Sequence, residues 1–123
     1  MFDSNFIILY VEDPSRSVEF YSAILGKAPL ENSPSFAMFV LDSGMKFGLW
    51  LKQDVQPEVR VSGVSGEIVF TLSDKVDVSR TYSDWKGRGL TVIQEPVTME
   101  FGYTFVALDP DGNRLRAFSP AES

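Results

Sequence analysis

Residues 6–13, FIILYVED, and residues 67–74, EIVFTLSD, align position for position, and that repetition decides the fold. Each stretch is dominated by apolar, β-branched or aromatic residues that suit a strand and closes on an Asp that can cap a helix. After the first, Pro14 takes the first helical position. Val18, Tyr21 and Leu25 then recur at helical spacing, Phe20 and Ile24 widen the stripe, and Gly26 ends it. After the second, Val78, Tyr82 and Trp85 form the stripe, which stops at Gly87 and Gly89.

Further along each half, short apolar runs separated by turn residues predict three more strands. In the first half they fall near Ala28–Glu31, Phe36–Leu41 and Lys46–Leu51, with Asp42-Ser43-Gly44 as a turn. In the second half they fall near Thr91–Gln94, Tyr103–Leu108 and Arg114–Phe118, with the turn Asp109-Pro110-Asp111-Gly112. The order is βαβββ, linker, βαβββ, an internal duplication of the α+β class. The expectation is one domain of two modules, about 5–52 and 66–119, facing each other around a cleft and joined by a linker over 53–65. The ends, Met1–Asn5 and Ala121–Ser123, are expected to fray. Gly63-Val64-Ser65-Gly66 precedes no Lys-Ser/Thr and no helix, so it reads as a hinge and not as a phosphate loop.

Composition narrows the chemistry. The formal net charge is −6 and the cations are scattered, which excludes nucleic acid and an anionic membrane surface as partners. Cysteine is absent, so there are no disulfides and no thiolate chemistry. Histidine is absent too, which removes the commonest transition-metal ligand and the usual acid/base near neutrality. Phe6–Val11 is too short for a signal-peptide core, and no stretch approaches a membrane span. The expected location is the cytoplasm.

Strand alternation assigns the faces. Ile7, Leu9 and Val11, and likewise Ile68, Phe70 and Leu72, should pack on the helices. The opposite faces carry Phe6, Ile8 and Tyr10, then Glu67, Val69 and Thr71, and in the last strand Arg114, Arg116 and Phe118. Such a mixture of aromatic, charged and hydroxyl groups suits the wall of a small-molecule site. In Lys46–Leu51 the aliphatic and phenyl side chains Phe47, Leu49 and Leu51 alternate with Lys46, Gly48 and Trp50, and the glycine leaves room beside the indole. Ten phenylalanines in one short chain must mostly build core. Phe6 and Phe118 stand out because their faces also carry charge.

The motifs Tyr10-Val11-Glu12-Asp13, Ser17, Phe20-Tyr21 and Leu25-Gly26, together with Phe105 and Asp109-Pro110-Asp111-Gly112-Asn113, resemble the vicinal oxygen chelate superfamily of glyoxalases, bleomycin-binding proteins and dioxygenases. In its metal-dependent members the ligand positions correspond here to Phe6, Trp50, Glu67 and Arg116, of which only Glu67 could bind a metal. The resemblance therefore implies no metal, no cofactor and no catalytic residue. Within the superfamily the chain is most similar to phenazine antibiotic-resistance binding proteins, sharing Lys27-Ala28-Pro29, Trp50 and the run from Glu95-Pro96 through Phe101-Gly102 and Thr104-Phe105. That likeness implies sequestration of a planar aromatic ligand by a homodimer, with Trp50 stacking on it. Phe6, Tyr10, Glu67, Tyr103, Phe105, Arg116 and Phe118 complete the expected binding set. Glu67 and Arg116 either pair with each other or leave Arg116 to meet a ligand carboxylate. The alternative is a lyase, isomerase or dioxygenase with an atypical site.

Overall fold

The computed structural model describes residues 3–60, 63 and 66–121. The chain divides into two compact units near residue 62. The first holds β1 (Phe6–Val11), α1 (Pro14–Leu25), β2 (Glu31–Asn32), β3 (Phe36–Val40) and β4 (Lys46–Leu51), followed by a 3-10 turn at Lys52–Asp54. The second holds β5 (Glu67–Thr71), α2 (Lys75–Gly87), β6 (Val92–Met99), β7 (Gly102–Leu108) and β8 (Arg114–Pro120). The proposed hinge Gly63–Gly66 lies largely outside the described residues, as do the outermost positions of both termini.

Both units have the same topology. Their strand orders are β1-β4-β3-β2 and β5-β8-β7-β6, and the first and last strands of each run parallel while the others are antiparallel. The helix is the crossover that this parallel pairing requires. Asp13 caps α1 by accepting from the Ser15 and Arg16 amides, and Gly26 closes it in the left-handed conformation at φ 68°. Asp74 caps α2 by accepting from the Asp77 amide.

Each helix covers one face of its own sheet. α1 packs chiefly on β4 and β3, where Tyr21 meets Phe47 edge-to-face at 4.8 Å. Ala37, Phe39 and Leu49 complete that core without exposure. α2 packs on β8, β7 and β6, where the buried Trp85 meets Phe70 at 5.5 Å and Phe105 at 5.4 Å. Burying a large side chain of this kind contributes about 1.5–3 kcal/mol.

Three expectations need correction. Ile7, assigned to the core by alternation, is 46% exposed, because β1 is the edge strand and α1 lies over the strands beyond it. The second strand is not Ala28–Glu31 but Glu31–Asn32: Pro29 has no amide to donate, and pairing starts with the Leu30 amide on the Met38 carbonyl. Conversely, β6 runs on to Met99 through Pro96. It lies at the sheet edge, where a missing amide is tolerated, and its ladder to β7 slips register on either side of Gln94.

Candidate functional site

In the first unit, the face of the sheet away from α1 is an aromatic surface. The ladder aligns Tyr10 with Trp50 and Trp50 with Phe36, so three rings lie side by side across β1, β4 and β3. The indole meets Tyr10 at 6.4 Å and Phe36 at 6.5 Å, both edge-to-face, so neither neighbour takes a parallel stack on it. One step along the strands, Gly48 lies beneath the rings of Phe6 and Phe36. A Cβ there would come within 3.0 Å of one and 3.1 Å of the other. The room beside the indole that Gly48 was expected to leave is therefore filled by these two phenyl rings. Lys46 closes the strip, its ammonium 5.8 Å from the centre of the Phe6 ring.

The corresponding face of the second unit is polar at its centre. Arg116 donates from Nε to Glu67 Oε1 at 2.7 Å and from Nη2 to Oε2 at 3.1 Å. Its Nη1 donates to Thr104 Oγ1 at 3.1 Å and to Gln94 Oε1 at 3.4 Å, and its guanidinium stands 5.5 Å from the centre of the Phe101 ring. Phe101 in turn meets Phe118 edge-to-face at 5.7 Å. The hydrogen bonds from Arg116 hold the Glu67 carboxyl below its ordinary range, outweighing the opposing effect of burial. A carboxyl held ionised in this way is poorly suited to be a general base poised near neutrality.

The β7–β8 turn sets the register of this network. The Asp109 carboxylate accepts from the amides of Asp111 and Asn113 and from Asn113 Nδ2, all at 2.8–2.9 Å. The hairpin then pairs Val106 with Arg116 and Thr104 with Phe118.

Of the expected residues, Trp50, Phe6 and Tyr10 share the face of the first unit, and Glu67, Arg116 and Phe118 share that of the second. Tyr103 and Phe105 do not. They point to the helix-bearing face, where Phe105 is fully buried against Tyr82 and Trp85, and Tyr103 lies beside Lys75. The β7 pairing explains the correction, since Phe105 opposes Ala117 and Tyr103 opposes Ser119, the alternate positions to Arg116 and Phe118. Phe36, Lys46, Phe101, Thr104 and Gln94 were missed. Alternation in β4 had already put Lys46 on the face of Trp50 without its being counted in the site, and Phe36 could have been found by carrying that alternation across the ladder to β3. Gln94 sits where the register slips, and Phe101 lies in a turn, so no periodicity points to either.

The residues at the superfamily's metal positions do not fit a metal. Phe6 and Trp50 offer no donor atom, and both Glu67 oxygens are already engaged by a guanidinium.

The two βαβββ units of like topology define a class. Residues 4–117 match the Glyoxalase/Bleomycin resistance protein/Dioxygenase superfamily, and the chain belongs to it. It is 32% identical over 115 residues to the phenazine antibiotic resistance protein EhpR of Enterobacter agglomerans, covering 91% of this chain and 88% of that protein. The solution structure of protein ATC0852 from Agrobacterium tumefaciens matches 99% of this chain and 100% of its own, with 46% identity and a TM-score of 0.90. A glyoxalase-related enzyme from Fulvimarina pelagi shares the fold at 19% identity and a TM-score of 0.84, covering 97% of this chain and 88% of its own. No helix among the described residues is long and apolar enough to cross a membrane.

Proposed function

We propose that this protein binds and sequesters a planar aromatic small molecule of the phenazine type, without transforming it, in an antibiotic-resistance role. The observation that carries the reading is the Tyr10–Trp50–Phe36 row, an aromatic surface with a half-buried indole at its centre that neither neighbour stacks on in parallel. Aromatic ligands gain most from such a surface through offset stacking and burial. The likeness to EhpR supports the same reading, and the engaged Glu67 gives no support to proton-transfer chemistry. In this reading the working form is a cytoplasmic homodimer, which light scattering at micromolar concentration would contradict by reporting a monomer.

The test is tryptophan fluorescence. Adding a phenazine should quench Trp50 saturably, while Trp85, 5% exposed in the core of the second unit, responds little. A folded Trp50→Ala protein should lose most of its affinity in equilibrium dialysis. Unchanged affinity would remove Trp50 from the site, and no binding of any planar aromatic would end the proposal.

A further inference from the structure

We infer that the ligand is an aromatic acid, held with its rings along β4 and its carboxylate on Lys46. The inference rests on the sequestration reading above and adds the chemical class of the ligand.

Lys46 and Trp50 lie on the same face of one strand, four residues apart, a span of about 13 Å. Between them the surface is continuous: the Lys46 ammonium over Phe6, Phe6 beside Phe36 above Gly48, and Phe36 against Trp50. A fused-ring compound laid along this strip places one end at the indole and the other at the ammonium. Nothing on the strip competes for that ammonium. Lys27 bonds Asp42 at 2.7 Å and Lys52 faces Glu12 at 4.0 Å, whereas Lys46 has no carboxylate partner among the described residues.

The alternative anion receiver is Arg116, and the structure argues against it. Its Nε and Nη2 hold both oxygens of Glu67, and Nη1 is shared between Thr104 and Gln94. An incoming carboxylate would have to displace Glu67 and would meet that residue's negative charge. Arg114 lies on the same face but is aligned with Glu67 across the ladder, which opposes an anion there as well. Lys46 carries neither cost, and its ammonium gains from a charge-assisted hydrogen bond to a carboxylate.

Dialysis with phenazine-1-carboxylate and its neutral isostere phenazine-1-carboxamide tests the assignment on the intact protein. The acid should bind roughly tenfold more tightly than the amide, and the difference should shrink as salt rises. In Lys46→Met the two compounds should bind alike, while Lys46→Arg restores the preference. Circular dichroism confirms that each variant is folded. If the amide binds the wild type as well as the acid does, or if the preference survives in Lys46→Met, the assignment is overturned while sequestration stands. If neither compound binds, both fall together.

Discussion

Arg116 grips Glu67 with two parallel hydrogen bonds, and the two residues reach each other diagonally between the parallel strands β5 and β8. Their side chains are 17% and 28% exposed, so water reaches the pair without surrounding it. The geometry joins the crossover strand β5 to the last strand at a point where Thr104 and Gln94 add contacts from β7 and β6. One guanidinium thus ties together all four strands of the sheet.

A double-mutant cycle on Glu67→Gln and Arg116→Met should return a coupling of about 1 kcal/mol in urea unfolding, above the weak coupling of fully exposed pairs. Additive single effects would mean that the bidentate contact does not persist in solution.

The same pair predicts a dependence on pH. The carboxyl of Glu67 is held lower in the folded chain than in the unfolded one, so the folded state favours its ionised form. The resulting stability is complete above the ordinary glutamate pKa of about 4.3 and is lost as pH falls through the lower folded value. The stability gap between wild type and Glu67→Gln should be constant from neutrality down to about pH 5 and close below it. A gap that widens on acidification would contradict the direction of the shift.

Gly102 adopts φ 148°, and a Cβ there would collide with the Ser119 carbonyl oxygen. Gly102→Ala should therefore force β7 away from β8 and cost about 2 kcal/mol or more in denaturant unfolding. It should also release Phe101 from Arg116. A variant of wild-type stability would show that the strands do not approach so closely.

Gly48→Ala makes a different demand, since the atoms it meets belong to the rings of Phe6 and Phe36 and not to backbone. The fold should survive with a loss of about 1 kcal/mol, while near-ultraviolet circular dichroism changes and phenazine affinity falls. Unchanged affinity would place the ligand away from these rings.

Phe105→Ala should cost about 3–5 kcal/mol, as expected for a phenyl group removed from a packed core. The milder Phe105→Leu should leave ligand affinity unaltered, because the ring faces Tyr82 and Trp85. A selective loss of affinity in Phe105→Leu would return that residue to the site.

Much of the fold was legible because two independent signals coincided in each module: a cap residue after a strand, and a helical stripe ending on glycine. The placing of Trp50, Phe6, Glu67 and Arg116 followed from simple alternation in β1, β4, β5 and β8, which run without bulges. Tyr103 and Phe105 were misplaced because an aromatic residue in a strand looks the same on either face until its partner strand is in register. Their partners, Ser119 and Ala117, would have supplied that information. The polar bonds around Arg116 were illegible for another reason. Gln94 is brought in by a slip of the β6–β7 ladder, and Phe101 by a turn, so tertiary context alone puts them there.

Because β8 comes last yet lies between β5 and β7, the second sheet is assembled from the outside in. During synthesis, α2 and the β6–β7 hairpin can form while the central slot stays empty, and β5 has no neighbour until residues 114–120 emerge. The first unit escapes this wait, since its own inserted strand, β4, is complete by residue 51. The nascent chain should therefore present one finished half well before the other, and a stall late in translation would leave the second half with an open groove for a foreign strand.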